Sequence, residues 1–341
     1  MAASRHSSPE NIQASGIPVD KKIRTRPFEP YMLAIAGILI VFLAVLGGYL
    51  LEQGNLYLLV QPAEILIVVG AAAGITIVAN PLRVIRKMAS AARGALRAPS
   101  LTRPALIRHL VMLYEIFGYG QRAGTMALEE EIENPKSSRI FSKYPGFMRD
   151  EGLRHFFCDS MRMVVIGVTD ANELDRLMDL DIEVQRRGDH EPAGALGAVA
   201  EALPGLGIVA AVLGVVITMS SIGGAPEAIG QKVAAALVGT FIGILLCYGV
   251  VGPLASRLET NIEERAQFLR VIGTAIVAYA RGAAPILAVE YARRSIPVDL
   301  RPTFLELETA IRRDAKIPLS PEQAAQTASK GAKDAAVAVE L

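Results

Sequence analysis

The stretch EALPGLGIVAAVLGVVITMSSIGG, residues 201–224, is apolar enough to cross a lipid bilayer, yet it is not built like a simple anchor. A proline, Pro204, stands near its start, and small residues occupy much of its surface. In lipid, small residues let helix backbones approach one another closely. The stretch therefore predicts a membrane-spanning helix that packs against another helix, either of this chain or of a second protein.

The composition of the whole chain is typical of a membrane protein. Its 341 residues are 52% hydrophobic and carry a formal net charge of only +1. This apolar fraction exceeds that of ordinary soluble domains, and the near-neutral charge gives no reason to expect nucleic acid as a partner. The two cysteines, Cys158 and Cys247, lie in a charged and an apolar stretch respectively, so we expect no disulfide and no zinc site.

Apolar runs predict four membrane-spanning helices, because about 20 residues at a rise of about 1.5 Å each cross a hydrocarbon core of about 30 Å. The runs are residues 31–51, 64–79, 202–221 and 233–252. Basic residues precede the first run and follow the second, whereas the loop at 52–62 has none. Because cytoplasmic loops carry an excess of Lys and Arg, both termini are predicted to be cytoplasmic.

The predicted fold class is all-α: a polytopic membrane protein with four transmembrane helices and a large helical cytoplasmic insert. Apolar residues recur at three-four spacing in the insert, and no convincing alternating strand pattern is present. The predicted segments are a disordered cytoplasmic extension (1–30), transmembrane helices 1 and 2 (31–82), a cytoplasmic helical domain (83–201), transmembrane helices 3 and 4 (202–253), a cytoplasmic helical extension (254–315) and a disordered tail (316–341).

Sequence signatures of enzymes and of metal sites are missing. The chain has no P-loop, no G-x-G-x-x-G and no G-x-S-x-G motif, and its four histidines lack ligand spacing. We therefore predict that the protein is not an enzyme and uses neither a cofactor nor a metal.

The third and fourth apolar runs contain no Asp, Glu, His, Lys or Arg. Ionisable groups within a membrane usually mark proton paths, so a carboxylate that carries ions through this protein must come from a partner. Thr240 is then the main polar group at mid-membrane, either as a pathway residue or as a threonine bonded back to its own helix.

Two prolines bracket these runs. In an antiparallel helix pair, Pro204 and Pro253 are predicted to lie at the same depth, near the cytoplasmic face. A proline removes an intrahelical hydrogen bond and kinks a helix. The pair is therefore interpreted either as hinges or as plain helix ends.

Glycines four residues apart occur in two of the runs, at Gly70 and Gly74 and at Gly239 and Gly243. Such pairs predict close helix packing in lipid. Generic packing within a bundle is enough to explain either pair.

With these patterns together, the chain resembles the flagellar stator A subunits of the MotA/ExbB/TolQ superfamily, over roughly residues 31–315. The stretches that carry the resemblance are GGYLLEQGNLYLLVQPAEILIVVGA (47–71), LEEEIENPKSSRIFSKYP (128–145), LPGLGIVAAVLGVV (203–216), ALVGTFIGILLCYGVVGPLA (236–255) and RPTFLELE (301–308). The resemblance implies a pentamer in the bacterial inner membrane around a MotB dimer, whose Asp carries the ion and whose periplasmic domain binds peptidoglycan. It also implies that the insert faces the rotor and contacts the rotor protein FliG.

The resemblance assigns roles to individual membrane residues. Ala211 and Thr240 match the ion pathway of the family. Pro204 and Pro253 match the proline pair that couples ion passage to movement, and Glu201 matches the acidic residue at the inner channel mouth.

The rotor contact matches less completely. The family places a basic residue three positions before a glycine and an acidic residue five positions after it. Relative to Gly124, Glu129 fills the acidic position, but Gln121 stands at the basic position, with Arg122 beside it. Arg122 and Glu129 are the predicted rotor contacts.

Protons are predicted as the coupling ion rather than sodium. A sodium ion must replace its hydration shell with several oxygens, and Ala210, Ala211 and Val238 offer no side-chain oxygen around Thr240.

One alternative function is an ExbB/TolQ-like energiser of an outer-membrane machine; such proteins usually have three spans, and the N-terminal spans and the LEEEIENP stretch here favour the flagellar function. A solute transporter would be expected to carry substrate-binding groups or broken helices near the midplane, and the sequence has neither.

Overall fold

The computed structural model describes residues 30–95, 101–167, 170–220, 223 and 225–314. Within these ranges the chain is helical and has no β-strand. The helices are α1 (Pro30–Leu51), α2 (Leu56–Leu59), α3 (Pro62–Ala79), α4 (Leu82–Ala95), α5 (Arg103–Ala123), α6 (Thr125–Glu133), α7 (Pro145–Arg149), α8 (Glu151–Ile166), α9 (Ala171–Met219), α10 (Pro226–Leu246), α11 (Gly252–Ala280), α12 (Pro285–Ser295) and α13 (Phe304–Asp314). The predicted all-α class is confirmed. The predicted N-terminal extension, apart from residue 30, and the predicted tail lie outside the described residues.

Four helical stretches among the described residues are long and apolar enough to cross a membrane. They are Ala34–Leu51, Leu56–Ala79, Ala171–Met219 and Pro226–Ala280. Four transmembrane helices were predicted, and this number is confirmed. The third and fourth stretches are far longer than the predicted apolar runs, because amphipathic helices continue each of them beyond the membrane.

The third span is the C-terminal part of one 49-residue helix, α9, which begins within the insert. Two prolines, Pro192 and Pro204, lie inside this helix without ending it. The fourth span, α10, continues into α11 through a single π-helical turn at Cys247–Val251. Helix α9 packs along both α10 and α11, so the two long rods connect the membrane region to the insert.

The largest hydrophobic core is shared by the insert and the C-terminal helices, where α5 and α8 of the insert pack against α11 and α12. Its aromatic side chains stack: the rings of Phe117 on α5 and Tyr279 on α11 lie 4.4 Å apart and nearly parallel. Large buried side chains of this kind supply about 1.5–3 kcal/mol each. The insert and the C-terminal helices therefore share one core, separate from the small cluster between the membrane helices, which contains Val68, Ala210 and Cys247.

Candidate functional site

Helices α9 and α10 touch through their backbones at a glycine crossing formed by Gly207, Gly239 and Gly243. A Cβ built on Gly243 would lie 2.5 Å from the carbonyl oxygen of Leu203 and 3.0 Å from the Cα of Gly207. A Cβ built on Gly207 would lie 2.8 Å from the carbonyl oxygen of Gly239. No side chain fits at these distances, so glycine is what allows the two helices to come this close.

Thr240 and Ala211 lie at this same crossing, on opposite helices. The Thr240 hydroxyl donates a hydrogen bond of 3.3 Å to the carbonyl oxygen of Gly207 on α9. Ala211 is 8% exposed, and its amide nitrogen would lie 3.3 Å from a Cβ on Gly239, the residue next to Thr240. The threonine thus bonds across to the neighbouring helix, a geometry that neither sequence interpretation of Thr240 anticipated.

Pro204 and Pro253 line one cleft at the end of the crossing that is nearer the insert. The cleft has a volume of about 570 Å³. Two carboxylates line it as well: Glu201, one turn before Pro204 on α9, and Glu259 on α11. The structure therefore brings together the proline pair and Glu201, as the sequence spacing predicts, and adds Glu259, which sequence reasoning missed.

The helices accommodate the two prolines in different ways. At Pro253 the preceding turn widens to a π-helix, in which the Gly252 amide donates to the carbonyl oxygen of Cys247. The wider turn moves the carbonyls away from the proline ring, which would otherwise clash with the carbonyl four residues back. At Pro204 helix α9 continues as an α-helix, so the Ala200 carbonyl loses its amide donor. Both prolines lie within continuous helical rods and neither marks the end of a rod.

The predicted rotor residues lie on the α5–α6 hairpin of the insert. Gly124 joins the two helices with a φ of +88°, a backbone conformation that favours glycine. Arg122 stands just before this glycine and its Nε donates to the Gly118 carbonyl oxygen over 2.9 Å, while Glu129 is exposed on α6. The structure places the two residues on either side of the same turn but not in contact with each other.

A cleft of about 720 Å³ opens beside Arg122, between α5, α6 and the segment that follows α6. Glu115 is buried in its wall at 3% exposure and accepts hydrogen bonds from Lys143 and from the Tyr144 hydroxyl, each over 3.0 Å. Burial, followed by the nearby Glu115 charge, raises the pKa of Tyr144, so its hydroxyl remains a donor. The buried Glu115 carboxylate, with the exposed Lys143 and the Tyr144 hydroxyl bound to it, fixes the segment after α6 against α5 and so shapes the surface near Arg122.

Neighbouring acidic residues on α6 differ in how they are held. Glu133 accepts two hydrogen bonds from Arg162 of α8, which lower the pKa of Glu133. Glu129 makes no hydrogen bond or ion pair within the described ranges. Of these two carboxylates, Glu129 is therefore the one available to a partner.

Sequence reasoning also missed the environment of Glu64. Its position in the apolar run suggests the outer end of the second span, yet the structure buries its side chain against α9 and α10. The glycines opposite it, Gly214 and Gly239, were visible in the sequence, but their rotation toward α3 was not. Within the described part of the chain, His, Cys, Asp and Glu form no group of three that could hold a metal ion.

Comparison with known protein families matches most of the chain. A family model described as the motility protein A N-terminal region matches residues 35–124, and one described as the MotA/TolQ/ExbB proton channel family matches residues 148–270. The chain is 36% identical to motility protein A of Escherichia coli over 281 residues, which is 82% of this chain and 95% of that protein. It is 35% identical to chemotaxis protein LafT of Vibrio parahaemolyticus, covering 81% of this chain and 97% of that protein.

Two solved structures share the fold. One is the structure of C. jejuni MotAB, with a TM-score of 0.66 at 21% identity, covering 79% of this chain and 96% of that chain. The other is the flagellar MotAB stator complex from Bacillus subtilis, with a TM-score of 0.65 at 22% identity, covering 79% of this chain and 98% of that chain.

Proposed function

Since this chain belongs to the motility protein A family, within the MotA/TolQ/ExbB proton channel family, we propose that it is the A subunit of a flagellar stator that converts ion flow into torque on the rotor. The observation that carries the proposal is the cleft shared by Pro204 and Pro253 at the inner end of the glycine crossing. A change at the crossing would reach the insert through this cleft, because α9 and α11 both extend from the two prolines toward the insert.

The ion-carrying carboxylate comes from a MotB partner in this proposal. Support comes from the third and fourth apolar runs, which lack Asp, Glu, His, Lys and Arg, and from the two MotAB structures that share the fold. Ala211 and Thr240 then flank the pathway, and Glu201 lies at its inner mouth. The prolines act as the coupling hinge.

The protein is proposed to sit in the lipid bilayer of the bacterial inner membrane as a pentamer around the partner, with both termini in the cytoplasm. The excess of basic residues before the first span and after the second supports this orientation. The insert, residues 83–201, then faces the rotor, and Arg122 and Glu129 contact the rotor protein FliG. Their position on either side of the turn at Gly124, at one end of α5, supports such a contact.

Protons are proposed as the coupling ion. Around Thr240 the nearest positions on the facing helix are apolar, and its own hydroxyl is engaged with the Gly207 carbonyl. A sodium ion would need several free oxygens there. One charge crossing the membrane supplies about 2.3 kcal/mol per 100 mV, so successive protons supply enough energy for a mechanical step.

Complementation tests the proposal directly. The chain and its partner would be expressed in a flagellated strain that lacks its own stator A subunit, and swimming speed would be recorded at fixed pH with and without sodium. We expect swimming to be restored at a speed independent of sodium. Restored swimming that stops without sodium would overturn the choice of ion, and no swimming by correctly inserted protein would favour the ExbB/TolQ-like energiser.

A further inference from the structure

Glu64 places a carboxylate inside the membrane region, where α3 packs against α9 and α10. The residue lies in the first turn of α3 and is 8% exposed. A Cβ built on Gly239 would lie 2.8 Å from its Oε2, and a Cβ built on Gly214 would lie 3.1 Å from its Oε1. Each glycine therefore leaves the space that one carboxylate oxygen fills, and the side chain is held in a slot between the two helices.

The slot offers this carboxylate no counter-charge. Oε2 is fully buried and has no hydrogen-bond partner among the described residues, and no ion pair joins Glu64 to a cation within them. From Pro204 to Met219, α9 has no ionisable side chain, and α10 has only Glu227 and Lys232, both near its outer end, where Lys232 lies about 10 Å along the axis from Gly239. On α2, the Tyr57 side chain is 88% exposed and so faces away from the slot.

Physical chemistry decides the state of such a group. An ionised carboxylate without partners in an apolar medium costs many kcal/mol, so the group takes up a proton and becomes neutral. A protonated carboxyl is uncharged and has one O–H donor in place of one acceptor. The neutral form fits the slot, whereas the charged form does not.

We propose that Glu64 is a proton-binding site, and that α3 seats against the glycine crossing only when this site holds its proton. The proton comes from the outer solution: it bonds to a carboxylate oxygen as α3 seats, and it returns to water when α3 lifts away. The site is distinct from the partner carboxylate of the proposed ion pathway. It requires only that α3 lies in the membrane, and it holds whether or not the ion pathway is correct.

Infrared spectroscopy of the protein in lipid, together with its partner, tests the first half of the proposal. A protonated carboxyl group has a carbonyl stretch that carboxylates and amides lack. We expect this band near neutral pH in the unmodified protein and its loss in Glu64→Gln. If the Glu64→Gln protein does not fold, Glu64→Leu serves as a second uncharged variant. A spectrum unchanged by either substitution would overturn the proposal.

Thermal unfolding at a series of pH values tests the second half. A proton held only in the seated state stabilises the protein at low pH, and this contribution is lost as the pH rises. We therefore expect the thermal midpoint of the unmodified protein to decrease from acidic to alkaline solution by about 3 °C or more beyond any decrease seen for Glu64→Gln. Glu227→Gln, at the exposed outer end of α10, serves as the control and should show no such divergence. Parallel curves for the unmodified protein and Glu64→Gln would overturn the proposal, and neither measurement depends on ion flow or motility.

Discussion

Thr240 on α10 donates a hydrogen bond to the carbonyl oxygen of Gly207 on α9, over 3.3 Å, where the two helices meet backbone to backbone. A hydroxyl bonded across a helix crossing, rather than back to its own turn, ties the separation of the helices to the orientation of a polar side chain. The proposed pathway residue and the packing of the pair are thus one structural unit.

The glycine crossing should not tolerate a methyl group. Gly243→Ala would place a Cβ 2.5 Å from the Leu203 carbonyl oxygen, so the helices must separate, at a cost of about 1–3 kcal/mol for overpacking. The matched control is Gly205→Ala, since a Cβ there has nothing within 4 Å. We expect a lower thermal midpoint and slower swimming for Gly243→Ala alone. Equal midpoints for the two variants would show that the helices move apart freely.

The two cleft prolines should matter to movement more than to folding. Replacing Pro204 or Pro253 by alanine restores an amide donor and straightens the rod, so we expect swimming to be lost while membrane insertion and co-purification with the partner persist. Pro192→Ala is the control, because Pro192 lies inside α9 as well but does not line the cleft. Swimming is measured beside the amount of protein in the membrane fraction. Normal swimming in both cleft variants would mean that the prolines have no part in coupling.

Charge reversal on α6 should separate a rotor contact from an internal one. Glu129 is exposed and unpaired within the described ranges, so Glu129→Lys should slow swimming without altering the thermal midpoint. Glu133→Lys removes the pair with Arg162 and should lower the midpoint while slowing swimming less. Arg122→Glu is expected to slow swimming too, and a compensating reversal on the rotor should restore speed. If Glu133→Lys slowed swimming more than Glu129→Lys at equal expression, the contact would not be at Glu129.

The insert should lose stability in acid through Asp150. This residue caps α8 by accepting from the Leu153 amide, and it pairs with Arg265 of α11 over 2.8 and 2.9 Å. Burial alone would raise the pKa of Asp150, but the hydrogen bonds from Arg265 and Leu153 hold that pKa below its ordinary value of 3.8. Because the folded pKa is depressed, the stabilisation is complete above the ordinary value and is lost as the pH falls below it.

Asp150→Ala should accordingly destabilise the protein by about 1–3 kcal/mol at neutral pH, with a smaller difference in acid. Asp170→Ala is the control, because Asp170 precedes α9 but makes no capping hydrogen bond with its side chain. Thermal midpoints at neutral and acidic pH give the comparison. A loss for Asp150→Ala that stays constant with pH would assign its effect to packing rather than to the ion pair.

Hydrophobicity was enough to predict four spans, and proline spacing was enough to place Pro204 and Pro253 close to each other on neighbouring helices, where they line one cleft. Both properties are local. A span depends on its own side chains, and the position of each proline depends on the number of residues between it and the loop that joins the two helices. Glycine spacing was less informative. Gly239 and Gly243 face another backbone, whereas Gly74 has nothing within 4 Å, although both motifs have the same form. A small residue permits close approach, but which helix approaches depends on the rotation of every neighbour.

The same limit applies to contacts between residues far apart in the chain. Asp150 and Arg265 are separated by more than a hundred positions, and the slot around Glu64 is built from three helices. Neither arrangement leaves a periodic trace in the sequence. Thr240 was proposed from the lack of charged residues in its span, and Ala211 and Glu201 from the family resemblance, while the mutual geometry of the three came only with the fold.

If Pro204 is the hinge that we propose, the uninterrupted length of α9 would amplify its motion. About 50 Å of helix separates Pro204 from the first residue of the rod, Ala171. A bend of about 10° at Pro204, small beside the kinks of more than about 20° that prolines can produce, would swing that distant end by about 9 Å. Because the rod passes beside the core that the insert shares with α11 and α12, a rearrangement of atomic size in the membrane would then become a displacement on the scale of a whole helix diameter.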